Sequence, residues 1–527
     1  MRKKMIKISI FLMIFTLKSV FPHLPTRKPC QLRKFNAGYV CVCTNDFCDT
    51  LNIPNMDNEN EWLLVTTTES GQRFNFSFGK FNLQHDNPSK TFMEIKKNAL
   101  HHEIIGFGGS VTGAVSFILN KLPTHLRECI YKSYYTNDDG LGYTLMRMPI
   151  GGCDFDVEAW TYNELPLDDF ELTNFTKLHP KDTLRTELIK ELMNVSQNFD
   201  IKIVGVAWSP PRWMKERGEW SGQNSNRLKV EYWQTWADYH VKWLNLMQSA
   251  ANLSIWAIST GNEPFFANFT PFLGLTWSAN SQAVFIEKHL GPTLKNSKHS
   301  SVQIHAFDDN RDVLSSWLDE MQASAAGAFD YVSAFAVHGY FDNVTSPTIL
   351  DATKAKYSNK SILYTEMCFG VEGPLSSTGP TLGSWLHFEE LTNMLMETLM
   401  HNVNGFLDWN IILDIRGGPN YMNNVVDAMI IVNDDFTEIY KQPNFYAAAH
   451  FTKFILPGSK RIEAHVSGDN VDNLSSLAFL RPDRKVAIIF YNKHTLYTIS
   501  LRIYDESKGT IDLQIKPKSL NSLIYSI

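Results

Sequence analysis

Eight short apolar and β-branched runs between residues 102 and 455, each followed by polar residues, constrain this chain more than any other feature. They are Glu103 to Phe107, Tyr143 to Met148, Lys202 to Ala207, Ile255 to Ser259, Gln303 to Phe307, Ser333 to Val337, Ser361 to Thr365 and Gly405 to Trp409. Most are separated by stretches of helical periodicity, among them Leu184 to Phe199, Lys229 to Ala251, Ser281 to Lys295 and Phe388 to Asn404. Strands that alternate with helices form parallel sheets, since a parallel neighbour needs a crossover connection. Eight such units predict a (β/α)8 TIM barrel over residues 102–457, with an open doubly wound sheet as the alternative.

The flanks change character. Trp62 to Phe81 and Leu474 to Tyr491 alternate apolar and polar residues around Glu69-Ser70-Gly71 and Arg481-Pro482-Asp483-Arg484, which is the pattern of β-hairpins. Each flank alone is too small for a good core. The N-terminal flank (28–101, Cys-rich at its start) and the C-terminal flank (458–527) are therefore expected to join in one accessory β-sandwich, with the two hairpins in a shared sheet.

Residues 1–22 place Arg2, Lys3, Lys4 and Lys7 before the apolar run Ile8 to Leu17, the pattern of a secretory signal peptide. About ten apolar residues fall short of the ~20 that span a bilayer, which leaves a signal anchor as the lesser alternative. Four of the seven cysteines, Cys30, Cys41, Cys43 and Cys48, crowd together near the mature start. In an oxidising compartment they read as two disulfides; zinc is the rival, but no Cys-x-x-Cys pair or nearby histidine supports it. Cys129, Cys153 and Cys368 remain, and an odd count leaves at least one free thiol. Candidate glycosylation sequons stand at Asn75, Asn174, Asn194, Asn252, Asn268, Asn343, Asn359 and Asn473. A formal charge of -6 offers no attraction to nucleic acid.

Barrel sites form where strands end at their C-terminal side. The residues there are Arg147 and Asp154, Trp208, Asn262-Glu263, Asp308-Asp309, His338 and Tyr340, Glu366, and Asp408-Trp409-Asn410. Glu263 and Glu366 converge from the fourth and seventh strands, as a retaining glycosidase requires: one carboxyl protonates the leaving oxygen and the other, ~5 Å away, attacks the anomeric carbon. No His-x-x-x-His or Asp-rich loop points to a metal, and no cofactor is expected. Trp208 and Trp409 offer faces for a pyranose, Asp154 offers two acceptors for adjacent hydroxyls, and Asn262 a donor to the 2-hydroxyl. Arg147 is placed to hold a catalytic carboxylate ionised. The pair should titrate in two steps and give a bell-shaped profile with an optimum at roughly 4.5 to 6. After strand four, Phe265, Phe266, Phe269, Phe272, Leu273 and Trp277 crowd one loop, expected to meet lipid.

At these residues the chain resembles the lysosomal glucocerebrosidases (acid β-glucosidases) of glycoside hydrolase family 30, over nearly the whole mature length. The resemblance rests on Gly106-Phe107-Gly108-Gly109, Arg147-Met148-Pro149, Cys153-Asp154-Phe155, Asn262-Glu263-Pro264, Ala336-Val337-His338, Asp408-Trp409-Asn410, Gly417-Gly418-Pro419-Asn420 and Tyr440-Lys441-Gln442-Pro443. It implies Glu263 as acid/base and Glu366 as nucleophile. It further implies a substrate-binding set of Asp154, Phe155, Trp208, Asn262, Trp409 and Asn424, with Arg147 supporting the nucleophile and His338 and Tyr340 nearby. It also implies disulfides Cys30 to Cys41 and Cys43 to Cys48, a lysosomal, membrane-associated enzyme with secretion as the alternative, and a glycosphingolipid substrate at a membrane surface. A saposin-type activator and anionic phospholipid are implied partners. Three positions depart from the pattern. The loop Phe265 to Trp277 is shorter and differs in content, and Gly339 replaces a Trp between His338 and Tyr340, so the leaving group stays open among ceramide, sterol and the aglycones of other β-glucosides, with a family 30 β-xylosidase or β-1,6-glucanase as the second enzyme reading. Gly113 replaces an Asp, a change expected to affect packing. A non-catalytic glycolipid-binding protein is the alternative from a different class.

Overall fold

The computed structural model describes residues 27–56, 58–82, 91–373 and 376–527, so the leader at 1–22 lies outside the described residues. Eight parallel strands close into a barrel: β1 Gly106–Ser110, β2 Leu145–Ile150, β3 Lys202–Ala207, β4 Ile255–Ser259, β5 Gln303–Asn310, β6 Val332–His338, β7 Ser361–Glu366 and β8 Gly405–Asn410. Strands β3 and β4 begin and end where the sequence places them, because their apolar runs are sharply bounded by polar residues. Strands β1 and β2 are shifted forward by two to three residues. Glycine explains the shift in β1: a Cβ at Gly108 would lie 2.1 Å from the Leu145 carbonyl oxygen, so only glycine lets β1 and β2 approach this closely. At Gly113 a Cβ would meet the Asp156 carboxyl at 2.4 Å, so the departure there makes room for a buried acid held by Trp160 and Lys181.

Both hairpins form, and both lie in one nine-stranded sheet. Its order is 509–515, 499–505, 91–103, 460–468, 474–480, 485–492, 519–526, 61–68 and 75–80. Period-two alternation lets this sheet serve two cores. On Lys485–Asn492, Val486, Ile488 and Phe490 face a cluster with Leu501, Ile503 and Ile511 inside the sandwich. Ala487, Ile489 and Tyr491 belong instead to the main core that the barrel helices share. Each fully buried aliphatic side chain there contributes about 1.5–3 kcal/mol, so the sandwich and barrel are welded by burial on both faces.

The cysteine-rich start of the N-terminal flank lies elsewhere. Leu32–Phe35 and Gly38–Cys43 pair with Ile439–Lys441, Ile430–Val432 and Leu413–Asp414 in a separate five-stranded sheet. Two disulfides, Cys30–Cys41 and Cys43–Cys48, fix this segment, and Cys129, Cys153 and Cys368 are free and buried. Lys441 reaches Asp49 at 3.0 Å, and Tyr446 donates to the same carboxylate at 2.6 Å, which assigns part of the Tyr440-Lys441-Gln442-Pro443 motif to anchoring. Of the sequon asparagines, Asn268 and Asn473 are half-buried and the other six are exposed.

Candidate active site

The C-terminal ends of the strands surround a cavity of about 950 Å³. Asp154, Phe155, Trp208, Asn262, Glu263, Tyr340, Glu366, Trp409 and Asn424 line it. Arg147 and His338 do not: both are fully buried behind the two glutamates, so they act on the carboxylates and not on a sugar.

A sharp turn after β4 aims Glu263. Its φ is +46°, a left-handed value that costs a non-glycine residue of order 1–3 kcal/mol. The neighbouring strands hold this turn: the Asn262 amide donates to the Ala207 carbonyl at 3.0 Å and the Glu263 amide to the Asp308 carbonyl at 2.8 Å. Glu366 needs no such turn, because it is the last residue of β7. One carboxylate oxygen from each glutamate and a His338 ring nitrogen all lie within 4.8 Å of one another. Retaining glycosidases hold their carboxyls about 5–5.5 Å apart and inverting ones about 6.5–9.5 Å, and an oxygen pair within 4.8 Å lies nearer the retaining figure.

Arg147 Nη1 donates to Glu366 Oε2, and its Nη2 donates to Asn262 Oδ1 at 2.6 Å. With its oxygen so engaged, Asn262, which lines the cavity, keeps its amide nitrogen as the group able to donate to a sugar hydroxyl. Tyr340 donates its hydroxyl to Glu366 Oε1 at 2.9 Å. Asn424 donates to Asp154 Oδ2 at 3.1 Å. Trp208 and Trp409 stack on each other, centroids 5.5 Å apart, with the Arg147 guanidinium 5.0 and 5.5 Å from the two rings. Their mutual stacking takes up one face of each indole.

Electrostatics differ from the simplest expectation in two places. Burial is the largest influence on Glu366 and raises its pKa; His338 and Arg147 oppose it, the Glu263 charge adds to it, and the carboxyl ends above its ordinary value. Arg147 thus works in the expected direction but is outweighed. Asp154 is pushed up to about 7, first by burial and then by the Glu366 charge. In acid it is therefore protonated and, with Oδ2 already engaged by Asn424, presents one donor and one acceptor rather than two acceptors. His338 is pushed up to about 10: burial lowers it, but the Glu366 charge and hydrogen bonds to Asp308 and Glu263 prevail.

Tyr340→Phe tests this balance. The lost hydrogen bond favoured the charged form of Glu366, so its pKa should rise further and the acid limb of kcat/KM on a soluble aryl β-glucoside should move to higher pH. A limb that stays in place or moves down would contradict the assignment.

Sequence reasoning passed over several members of this site. Asp308 and Asp309 stand out only as a doubled acid at a strand end, and Ser259, Asn310 and Thr365 carry no signal at all. Asp309 accepts from the Phe265 and Phe266 amides at 2.7 and 3.1 Å, which fixes the start of the loop after Glu263. That loop also corrects an expectation. Trp277 and Leu273 are buried, Trp277 packing against Trp233 and Phe285, while Phe265 and Phe269 are exposed by 39% and 49%.

Comparison with known proteins agrees with this geometry. The glycosyl hydrolase family 30 TIM-barrel domain matches residues 104–455, and the family's beta sandwich domain matches 458–523. The chain belongs to glycoside hydrolase family 30. This family 30 glycosidase is 32% identical to the Caenorhabditis elegans protein named "Putative glucosylceramidase 4", over 99% of each chain. It is 31% identical to the lysosomal acid glucosylceramidase of Mus musculus, over 94% of this chain and 96% of the other. Among solved structures, SrfJ from Salmonella typhimurium superposes with a TM-score of 0.79 at 22% identity, covering 89% of this chain and all of that one.

Proposed function

We propose that this enzyme is a retaining β-glucosidase that releases glucose from glucosylceramide in the lysosome lumen, at a membrane surface. The observation that carries the reading is the Glu263–Glu366 spacing inside a cavity lined both by polar groups and by Phe266, Phe272, Leu273 and Phe341. In the first step Glu366 attacks the anomeric carbon while Glu263 gives its proton to the glycosidic oxygen. A glycosyl ester forms at Glu366 and the aglycone leaves. In the second step Glu263, now a carboxylate, takes a proton from water, whose oxygen attacks the anomeric carbon and breaks the ester. Ester formation removes the Glu366 charge and leaves the His338 cation facing Glu263, which favours the carboxylate needed for this step.

The glucosylceramidase relatives support ceramide as the leaving group and, with the mouse protein, a lysosomal setting. Among the described residues no helix is long and apolar enough to cross a membrane, so lipid contact falls to the cavity rim. Phe265 and Phe269 are exposed beside the lining residue Phe266, and Val344, which also lines the cavity, is exposed by 74%. Replacing Phe265 and Phe269 together with Ser should cut kcat/KM on vesicle-borne glucosylceramide about tenfold or more and leave hydrolysis of a soluble aryl glucoside within about twofold, the direction expected for lost apolar insertion. Equal losses on both substrates would assign these rings to packing instead.

Substrate profiling tests the whole reading. Purified enzyme is assayed on glucosylceramide, a steryl glucoside, an aryl β-xyloside and β-1,6-glucan, each with and without anionic phospholipid and a saposin-type activator. The reading expects glucosylceramide to lead and the two partners to raise its turnover. A leading glucan or xyloside would overturn the substrate, and no turnover of any would favour a binding protein.

A further inference from the structure

Three carboxylates, not two, organise this site, and the third faces no cavity. Strand β5 loses register with β6 between Phe307 and Asp309, and Phe307 and Asp308 take φ values of +77° and +57°. An irregularity of this kind re-aims a side chain at the cost of backbone strain, and strain of that sort is retained where the surroundings over-determine it. What surrounds Asp308 is a complete set of donors. Its Oδ1 accepts from Thr365 Oγ1 at 2.6 Å and from His338 Nε2 at 3.1 Å. Its Oδ2 accepts from Ser259 Oγ at 2.6 Å and from Arg147 Nη2 at 3.2 Å. A carboxylate has about four acceptor positions, so all are used. The donors come from β7, β6, β4 and β2, and the side chain is fully buried.

Two of these donors are cations, and each goes on to touch one catalytic glutamate. Arg147 spans Asp308 and Glu366; His338 spans Asp308 and Glu263, with Nδ1 3.1 Å from Glu263 Oε1. An imidazole that faces carboxylate oxygens with both nitrogens donates to both only when it is charged. We propose that Asp308 is a positioning residue that holds Arg147 in register and keeps His338 charged, and so couples the protonation of Glu366 to that of Glu263. This rests on the roles assigned to the two glutamates above.

Charged and titratable groups surround Asp308. Arg147, His338, Glu263 and Glu366 face it from the other strand ends, His305 shares its strand, and Asp309 follows it. Tyr340 and Asp154 influence Glu366 from the cavity side. Burial works against the ionised form of Asp308, but Arg147 and then His338 and Ser259 outweigh it and hold the carboxyl well below the usual range. It therefore stays an anion wherever the enzyme works. Removing that charge leaves Arg147 and His338, both still cations over the acid limb, to act on Glu366 undivided, so the Glu366 pKa should fall. It also takes a counterion from His338, whose pKa should fall too.

Asp308→Asn is the test, because it keeps the volume and removes the charge. The expected result on an aryl β-glucoside is a loss of about a hundredfold in kcat/KM, the scale of a misplaced catalytic group. The acid limb should move to lower pH, and the His338 ring, followed by nitrogen-15 NMR, should titrate lower than in the wild type. Ser259→Ala breaks a contact to the same carboxylate without removing charge, and its acid limb should stay where it was. A slower Asp308→Asn enzyme with an unmoved limb and unmoved His338 titration would reduce Asp308 to packing and overturn the proposal. If Asp308→Asn does not fold, the wild-type His338 titration decides alone: a ring already neutral at pH 7 overturns it. Covalent labelling of the wild type by a cyclophellitol-type trap separates the two readings. A label away from Glu366 defeats the assignment of the glutamates; a label on Glu366 with an unmoved limb defeats only the role of Asp308.

Discussion

Glu366→Gln should abolish turnover while the protein stays folded. The amide cannot form the glycosyl ester, and removal of an attacking group costs at least about 10⁴-fold in kcat. Folding should survive because the amide oxygen can still accept from Arg147, which also keeps Asp308 and Asn262. The stability effect has a definite sign. Glu366 has a pKa raised by burial above its ordinary 4.5, so its ionisation opposes folding above pH 4.5, increasingly until the folded-state pKa is passed. Glutamine removes that opposition. The variant's Tm at neutral pH should equal or exceed that of the wild type, and any gain should shrink as pH falls toward about 4.5 and vanish below it. A variant that keeps measurable turnover, or unfolds well below the wild type at pH 7, would contradict the account.

Glu263→Ala should behave differently, since the nucleophile remains. With a poor leaving group, kcat/KM should fall by about 10³-fold, within the range general acid catalysis supplies. With an activated leaving group the ester should form but hydrolyse slowly, because nothing takes the proton from water. Azide needs no base and fits where the carboxylate was. It should restore turnover and yield β-glucosyl azide, the configuration retained through two displacements. An α-azide, or no rescue with an activated substrate, would remove Glu263 from the role of acid/base.

Much of this architecture can be read from local pattern. Lys202–Ala207 and Ile255–Ser259 are apolar runs with polar ends, and a strand buried on both faces in a parallel sheet carries little other information. The two glutamates are legible for the same reason: in a barrel, position after a strand is position in space. What cannot be read depends on contacts distant in sequence or on backbone irregularity. Cys41 and Lys441 pair across 400 residues, so no local pattern reveals that the cysteine-rich strands join the sheet beside the barrel rather than the sandwich. Trp277 looks like Phe265 and Phe269 in composition, yet Trp233 and Phe285 enclose it. Arg147 and His338 lie at strand ends as expected, but only the packed structure shows them behind the carboxylates. Asp308 is hidden most completely, because its function depends on two left-handed residues inside a strand. A regular β5 would turn that side chain elsewhere.

The stereochemistry of the first product tests the central claim most directly. Proton NMR of an aryl β-glucoside digest, recorded in the first minutes before mutarotation, distinguishes the two anomeric protons of glucose. Carboxylates spaced as Glu263 and Glu366 are predict β-glucose as the sole initial product. An initial α-glucose signal would mean a single displacement by water, and the double-displacement account of this site would be wrong.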